Sequence, residues 1–331
     1  MSSFWSDIAS FPSASSPLEC MLHPIEDQTV LSVSGPDSHK FMQGQFTCNL
    51  TDITSSQYRN GACCNAKGRM VSSFQLHQQG QDQYLMALHA SLAQITQEHL
   101  KKYMVFFKCK MMTTDYVLAG LSGPQSEQLL SSVLGACPHS DFEQSQIDGG
   151  FLVKLPHGAG FQLFLKAEQA KQTIEPLLSK CTLSNNKLWN QNLIHHGIGY
   201  ITDKTSDEFI PQMINLNQNN GISFNKGCYT GQEIVARMQY LGKLKRHMYR
   251  LSIDPSSTVT AGDHAFIEGK NSPVGMVVNA TITSEQQYAL VVLEDKVLPE
   301  ISSSKLYLGD NQGIAQELLS LPYDVIDAQP E

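Results

Sequence analysis

The chain has 331 residues, which is enough for two or three compact units, and its 41% hydrophobic and 16% charged residues are typical of globular proteins. Its formal net charge of −8 argues against broad, non-specific binding to nucleic acid, because such binding needs a basic surface. No apolar run approaches the ~20 residues of a membrane span, and residues 1–7 lack the features of a secretory signal. The eight scattered cysteines include no C-x-x-C pair, so we expect reduced thiols and a cytoplasmic protein.

A short motif occurs twice and predicts two related units after a loosely held Ser/Pro-rich leader. The predicted strand Val30–Ser34 runs into Gly35-Pro36-Asp37-Ser38, and 88 residues later Val117–Ser122 runs into Gly123-Pro124-Gln125-Ser126. Proline suits the first turn of a helix, so each motif predicts a strand followed by a helix. Each unit then continues with strands and one longer helix: 60–76, 84–88 and 91–106 in the first, 151–155, 161–165 and 168–180 in the second. Neighbouring strands that alternate with helices predict α+β layers.

A helix is predicted from residue 185 to 196, and an irregular, amide-rich segment follows it. Trp189, Leu193 and His196 fall on one face of that helix, which either packs in a core or faces a ligand. The segment from Phe209 to Gly221 suits either hydrogen bonding to a flat polar ring or the pairing of its own buried backbone.

The stretch Lys226-Gly227-Cys228-Tyr229-Thr230-Gly231-Gln232-Glu233 is a loop that enters a helix. Thr230 and Glu233 have the spacing of a capping box, and Gly242 is expected to end the helix. Cys228 would then lie near the positive end of the helix dipole, where the dipole and Lys226 would favour a nucleophilic thiolate. The alternative is that Cys228 is a small buried apolar residue.

Short strands separated by turns dominate beyond Gly242 and predict a small antiparallel barrel. The predicted strands are 246–253, 265–268, 274–280, 288–293 and 305–308. A basic cluster stands at the start of this region: Lys243, Lys245, Arg246, His247 and Arg250. It is either a solvated strand face or a site for carboxylates or phosphates.

The octapeptide Lys226–Glu233 resembles the KGCYTGQE signature of the YgfZ-type folate-binding proteins, which are relatives of the glycine-cleavage aminomethyltransferases. Further short segments look like sequence motifs of that family and stand in the same order along the chain. We call them the landmark segments: Met42–Gln45, Ala66–Gly68, Leu100–Tyr103, Phe209–Gln212, Gly221–Phe224, Ala236-Arg237 and Leu321–Tyr323. The resemblance implies an α+β fold with two related subdomains of aminomethyltransferase type, approximately 25–115 and 116–242. A C-terminal antiparallel β-barrel would occupy 243–331.

The resemblance also implies a function: a tetrahydrofolate-binding auxiliary protein that supports tRNA methylthiolation and the maintenance of Fe–S enzymes. Cys228 and Lys226 are the candidate catalytic residues. Cys228 would face the folate pocket and act as a redox thiol, as an attacking group on a folate-bound one-carbon unit, or as a transient ligand for iron or sulfur. The candidate cofactor-binding residues are Trp189, Gln28, Asn215, Tyr229, Glu233, Arg237 and Arg246.

Several of these residues have assigned roles. Trp189 would stack on the folate ring, and Gln28 stands where this subfamily is expected to have a second pocket tryptophan. Amides of Asn215–Asn220 would read the edge of the ring. Arg237, Lys245 or Arg246 would pair with the glutamyl tail.

Two other functions are considered. A folate-dependent one-carbon transferase would need a carboxylate on the strand after the first hairpin, where this chain has Ser72-Ser73, and a glutamate where His195-His196 stands. A tRNA-binding module would use the basic cluster, but the charge of −8 ranks it last. The implied partners are folate, Fe–S tRNA-modifying enzymes and, with weaker support, tRNA itself, without a membrane.

Overall fold

The computed structural model describes residues 2–8, 20–240, 242, 244–282, 286–301, 304–309 and 313–325. Its strands are β1 (Met21–Ile25), β2 (Gln28–Ser34), β3 (Arg59–Cys64), β4 (Met70–Gly80), β5 (Gln83–His89), β6 (Lys110–Thr113), β7 (Tyr116–Ser122), β8 (Gln144–Ile147), β9 (Gly150–Lys154), β10 (Phe161–Lys166), β11 (Thr182–Leu183), β12 (Arg246–Ile253), β13 (His264–Ile267), β14 (Gly275–Ile282), β15 (Gln287–Glu294), β16 (Leu306–Leu308) and β17 (Gly313–Leu319).

The helices are α1 (Ser2–Ile8), α2 (Ser38–Gln43), α3 (Ala93–Met104), α4 (Ser126–Leu134), α5 (Ala170–Leu178), α6 (Asn186–His195), α7 (Gln232–Tyr240) and α8 (Leu298–Ile301). Short 3-10 helices cover Leu50–Asp52, Ala90–Leu92, Pro156–Gly158, Pro211–Ile214 and Asp295–Val297. None of the helices in the described ranges is long and apolar enough to cross a membrane.

Two sheets of corresponding strand order form the first two thirds of the molecule. The first sheet has the order β3-β4-β5-β2-β6, and the second has the order β8-β9-β10-β7-β1-β11. Each therefore has a three-stranded antiparallel meander, then the strand that carries the repeated motif, then an edge region. The edge positions differ, because β1 comes from the N-terminal end of the chain and pairs antiparallel with β7. The expected α+β fold with two related units is confirmed.

The repeated motif has the same backbone geometry in both places. Gly35 and Gly123 have φ values of 125° and 115°, and each carbonyl accepts a hydrogen bond from the serine three residues later. Those serines, Ser38 and Ser126, are buried and begin α2 and α4. The motif thus turns a strand into a helix in both units.

The two sheets pack face to face, and helices cover their outer faces. Alternate residues of β2 show this arrangement, because Val30 contributes to the core between the sheets while Leu31 and Val33 contribute to the core beneath α2 and α3. In the second sheet, Phe164 of β10 points to the layer between the sheets, whereas Leu163 and Leu165 pack with α4 and α5.

The C-terminal region is a closed six-stranded barrel of order β12-β15-β14-β13-β16-β17, and β17 pairs with β12 to close it. The five predicted strands are all present, with ends within one to two residues of the expected positions. The sixth strand, Gly313–Leu319, is an addition to the prediction.

The N-terminal leader differs in part from the expectation of a loosely held segment. Residues 2–8 form α1, and Trp5 and Ile8 are buried in the core that covers the second sheet. Residues 9–19, which hold most of the Ser/Pro-rich stretch, lie outside the described residues.

Candidate functional site

The loop 226–231 lies directly against the turn of the β3–β4 hairpin. Gly231 has φ +84°, and a Cβ atom there would stand 2.5 Å from the carbonyl oxygen of Asn65. Gly68 in the hairpin turn has φ +71°, and a Cβ atom there would stand 2.8 Å from Cβ of Ile234. Two glycines therefore permit a close approach that any side chain would prevent. This contact joins the octapeptide to the landmark Ala66–Gly68.

Other landmark segments reach the same loop by hydrogen bonds. The Thr230 amide donates to the Gly44 carbonyl, and the Thr230 hydroxyl donates to Gln45 Oε1 at 3.2 Å. The Gln212 side chain donates to the Val235 carbonyl at 2.7 Å. Segments that are far apart in the sequence thus converge around the octapeptide and α7.

The environment of Lys226 does not support the predicted role of this residue in activating Cys228. Its ammonium group donates to the backbone carbonyls of Gln43, Phe46 and Cys48 at 2.8, 2.7 and 2.7 Å. A lysine has three N–H donors, so these contacts use all of them. Burial lowers the pKa of Lys226 to about 8, while the three carbonyls favour its charged form. Lys226 therefore fixes the loop after α2 to the octapeptide.

Cys228 is the exposed thiol among the eight cysteines, all of which are free and lie in the described residues. The alternative expectation, a small buried apolar residue, is wrong. Buried thiols elsewhere differ sharply: burial raises the pKa of Cys63 to about 12 and that of Cys48 to about 11. Among the described residues, no hydrogen-bond partner lies at Cys228 Sγ, so no backbone N–H group stabilises a thiolate there. The thiol is open to a reagent or partner from solvent.

The start of α7 also differs from the predicted capping box. The helix begins at Gln232, and Gln232 Oε1 accepts a hydrogen bond from the Tyr229 amide at 3.2 Å. The Thr230 hydroxyl contacts Gln45 instead of the helix end. The capping box does not form because Gln45, which follows α2, accepts the hydrogen bond of the Thr230 hydroxyl. The local sequence spacing does not reveal this distant partner. The expected end is confirmed, since the Gly242 amide donates to the Arg237 carbonyl just after Tyr240.

A polar cavity lies between the two sheets, beside the hydrophobic core that packs between them. Residues of both sheets and of the segment after α6 line it: Gln28, Asn60, Ser73, Phe74, Gln75, Ala87, Leu88, His89, Leu155, Gln162, Leu193, Ile198, Gly199, Tyr200, Leu216 and Asn219. His89 and Tyr200 stack with their ring centroids 5.8 Å apart. The wall combines amide groups with aromatic rings, as sites for flat polar ligands do.

An amide pair spans this cavity. The Gln162 side chain of β10 donates to Gln28 Oε1 of β2 at 2.9 Å, which joins the two sheets. Gln75 Oε1 is buried without a hydrogen-bond partner, so the wall holds an unused acceptor. The cavity volume is about 70 Å³, whereas small-molecule pockets have about 300–1,000 Å³. A ligand ring can therefore enter only when side chains such as this pair move apart.

Gln75 and Gln162 were missed by sequence reasoning. Gln162 is an amide in the otherwise apolar strand F-Q-L-F-L, and that interruption is a signal of a buried polar site, whereas Gln75 alternates with apolar residues as on a solvated face and gives no such signal. Gln28, by contrast, was predicted and does line the cavity. Among the predicted amides of 215–220, Asn219 lines it.

Trp189 and Asn215 lie elsewhere than expected. Trp189 is fully buried and packs on β7, where Gly120 has no side chain, so the core-packing alternative for this face of α6 is the correct one. The ring lies outside the cavity wall, and Leu193, one turn later, lines the wall instead. Asn215 is buried, and its amide donates to the Met248 carbonyl at 2.9 Å. The same amide nitrogen lies 3.5 Å from the Tyr323 hydroxyl, so it ties the barrel to the preceding segment and both of its N–H donors point away from this cavity.

The remaining candidates surround α7 without lining the cavity. Tyr229 is buried, its ring lies 5.1 Å from Lys226 Nζ, and burial raises the pKa of its hydroxyl. Glu233 and Arg237 are exposed on α7. Cys228 also lies outside the wall of the cavity as the described residues define it, so the expectation that it faces the folate pocket is not met by this cavity.

Two residues of the basic cluster, Arg246 and His247, are paired with acidic groups. Antiparallel pairing of β12 with β15 places Arg246 opposite Glu294, and their side chains bond at 2.8 Å. That bond, followed by one from Lys296, holds the pKa of the Glu294 carboxyl below its usual range. His247 bonds Asp295 at 2.8 Å. Lys243 lies outside the described residues. The cluster, basic in sequence, is therefore a mixed-charge surface beside a groove of about 590 Å³ between α7 and the barrel.

The structure also shows where Ser72-Ser73 and His195-His196 lie, the positions at which this chain differs from the aminomethyltransferases. Ser73 lines the cavity, and its hydroxyl accepts a hydrogen bond from the Ile201 amide at 2.9 Å, whereas Ser72 is fully buried. His195 and His196 end α6 outside the cavity wall, and His196 Nδ1 bonds the Asn192 carbonyl. Among the described residues that line the cavity, none is a carboxylate.

Comparisons with known proteins agree with this architecture. The chain is 32% identical to the tRNA-modifying protein YgfZ of Klebsiella pneumoniae (strain 342) over 96% of its own length and 97% of that protein. The chain belongs to the YgfZ family of tRNA-modifying proteins. The relative from Pectobacterium carotovorum subsp. carotovorum (strain PC1) is 33% identical over 96% of this chain and 95% of that one.

Residues 24–180 match the GCVT N-terminal domain. The crystal structure of glycine cleavage system aminomethyltransferase T from Bartonella henselae superimposes with a TM-score of 0.71 at 16% identity, covering 94% of this chain and 87% of that one. At that identity the likeness shows a shared fold. The family resemblance and the fold class predicted from the sequence are thus confirmed.

Proposed function

We propose that this member of the YgfZ family is a tetrahydrofolate-binding auxiliary protein that supports tRNA methylthiolation and Fe–S enzymes through the thiol of Cys228. The observation that carries the proposal is the exposure of that thiol on a loop that contacts the landmark segments Met42–Gln45 and Ala66–Gly68. Reactive cysteines lie at solvent-accessible positions, whereas buried cysteines are inert. Eight unpaired thiols also fit the reducing cytoplasm as the place of action.

Folate binding is proposed for the cavity between the sheets. The wall fits a pterin chemically, because Gln28, Asn60, Gln75 and Gln162 supply amide donors and acceptors and Gln75 Oε1 lacks a partner. Tyr200 supplies an aromatic face. When bound, tetrahydrofolate would supply one-carbon chemistry or simply stabilise the closed arrangement of the two sheets. Gln28 and Gln162 would change partners from each other to the ligand.

The separation of the thiol from the cavity wall narrows the roles of Cys228. Attack on a one-carbon unit of folate held in the cavity has no geometric support. A surface role, as a redox thiol or as a transient ligand for iron or sulfur on a partner enzyme, uses the exposure that the loop provides. The loop itself is held in place by Lys226 and by the glycine contact with the β3–β4 turn.

The experiment is complementation of a bacterial strain that lacks its own family member, with methylthiolated tRNA nucleosides measured by mass spectrometry. The wild-type chain should restore them, Cys228→Ser should not, and Cys137→Ser, which changes a half-buried cysteine, should restore them fully. Restoration by Cys228→Ser would refute the proposed role of the thiol.

The alternative function is a folate-dependent one-carbon transferase, which the shared fold with aminomethyltransferase T favours. The absence of a carboxylate among the described cavity-lining residues argues against it, because a serine cannot act as the base that such a transfer needs near pH 7. An assay with tetrahydrofolate and a glycine-derived aminomethyl donor distinguishes the two. Turnover that survives Cys228→Ser would favour the transferase.

A further inference from the structure

The turn between α3 and β6 exposes an aromatic ring among lysines. Phe106 is 81% exposed and Val105 is 73% exposed, the highest values among the large hydrophobic residues described. Residues 99–114 contain Lys101, Lys102, Lys108 and Lys110 and no aspartate or glutamate. All four lysines are exposed. We call residues 101–110 the basic turn.

The backbone of the basic turn is anchored on both sides of Phe106. The Phe106 amide donates to the Tyr103 carbonyl, and the Phe107 amide donates to the Met104 carbonyl at 2.9 Å. Phe107 packs on Phe41 with ring centroids 5.4 Å apart, which anchors the turn in the core. The Lys108 amide donates to the Asp37 carboxylate at 2.7 Å. The ring of Phe106 itself is 81% exposed and is open to a partner from solvent.

The basic turn belongs to the same side of the first sheet as the octapeptide loop. Leu100 of α3, with Tyr103 and Met104 packed beside it, lies in the same hydrophobic core as Cys63 and Cys64 at the end of β3. Cys64 in turn lies against Gly231, where an added Cβ would stand 3.1 Å from its Cβ. The hairpin end that carries Cys64 therefore connects α3 to the loop of Cys228.

We propose that the basic turn is a contact surface for RNA, with an unpaired base stacked on Phe106 and phosphates paired with Lys101 and Lys102. Unpaired bases stack on exposed aromatic side chains, and lysines neutralise phosphates, so this combination fits a single-stranded loop of RNA. Asp37 and Asp82 lie beside Lys108 and Lys110, which leaves Lys101 and Lys102 as the stronger phosphate contacts. The inference rests on the tRNA-modification role proposed above and places the RNA contact away from the paired basic cluster of β12.

The test is binding of fluorescently labelled unmodified tRNA to the full chain, measured by anisotropy between 50 and 200 mM salt. Phe106→Ala should weaken binding roughly 5- to 150-fold, and Phe106→Trp should retain it, since one stacked base is lost or kept. Lys101→Ala/Lys102→Ala should reduce the slope of log Kd against log salt by about 1.4, as expected for two single-strand phosphate contacts. Ile95→Ala and Lys166→Ala/Lys180→Ala are the apolar and charge controls and should bind as the wild type does.

Equal binding by the wild type, Phe106→Ala and the double lysine variant would overturn the inference, as would the absence of any tRNA binding at 50 mM salt. Loss of binding to an acidic protein partner or to anionic vesicles in Phe106→Ala, with tRNA binding intact, would also overturn it. Complementation by the same variants separates the two proposals. Full Cys228-dependent complementation without tRNA binding refutes the RNA surface and leaves the proposed function standing.

Discussion

Replacement of Lys226 by methionine tests the structural role of this residue most sharply. Methionine keeps an apolar stem but removes the ammonium group, so the carbonyls of Gln43, Phe46 and Cys48 lose their common donor. A hydrogen bond from a charged donor contributes about 1.5–3 kcal/mol to stability. Removing the buried charge also removes its desolvation cost, which offsets part of the lost stability. For three bonds we expect a net loss of about 2–4 kcal/mol in the free energy of unfolding, or about 4–8 °C in Tm.

The assay is urea and thermal unfolding of Lys226→Met beside Lys67→Met, which removes an exposed lysine from the adjoining hairpin turn. Lys67→Met should change stability by less than about 0.5 kcal/mol. Lys226→Arg should recover only part of the loss, because a planar guanidinium does not match three carbonyls gathered around one point. A Lys226→Met protein as stable as the wild type would refute the view that this ammonium holds the two loops together.

Three further predictions follow from the cores and the cavity. Burial lowers the pKa of His77 to about 3 from an ordinary 6.5, so its stabilising contribution is complete above pH 6.5 and is lost as pH falls towards 3. In His77→Gln, the free energy of unfolding should therefore fall less steeply between pH 6 and 4, by about 1.4 kcal/mol per pH unit. Parallel curves of unfolding free energy against pH for the two proteins would contradict this. Gly120→Ala would place a methyl group 2.3 Å from the Trp189 ring and should cost about 2 kcal/mol or more in urea unfolding, whereas an unchanged midpoint would show that the ring moves freely. Gln162→Ala removes the bond to Gln28 and should speed tetrahydrofolate association in stopped-flow fluorescence, and a rate equal to that of the wild type would exclude this pair as the barrier to binding.

Sequence patterns located most strands and helices of the two sheets and the barrel, because period and turn residues are local properties. The strands β1, β6, β8, β11 and β17 were missed, and the reason is identifiable for β1 and β17. β1 contains Pro24, which argues against a strand, yet β11 pairs only with Met21 and Leu22, so Pro24 has no neighbour on that side to which it must donate. β17 follows the turn-forming residues Gly309-Asp310-Asn311, but its pairing with β12 joins residues more than sixty positions apart, which local patterns do not reveal.

The candidate site was less predictable, because its contacts join distant segments. Lys226 bonds carbonyls about 180 positions earlier in the chain, which no local spacing reveals. On β4, the alternation of Ser73, Gln75 and His77 with apolar residues is typical of a solvated face. A second sheet covers that face, so Ser73 and Gln75 line a cavity and His77 packs against the ring of Phe164.

The charge balance of the surface also depends on contacts between distant segments, which the local sequence does not reveal. Arg246 and His247 stand in a sequence segment without acidic residues, but antiparallel pairing brings Glu294 and Asp295 beside them. The basic turn around Phe106 keeps more of its charge because its lysines point to solvent and its neighbours are mostly apolar. The local charge of the sequence therefore overstated the basic character of the β12 cluster, and the basic turn was not singled out from the sequence.

The most direct test of the proposed function is a crystal structure of the protein with tetrahydrofolate bound. We expect the pterin ring between the two sheets, with a hydrogen bond to Gln75 Oε1, with Gln28 and Gln162 no longer bonded to each other, and with Cys228 still open to solvent. A ligand bound outside this cavity, or density that shows an intact Gln28–Gln162 pair and an empty cavity at saturating tetrahydrofolate, would contradict the account.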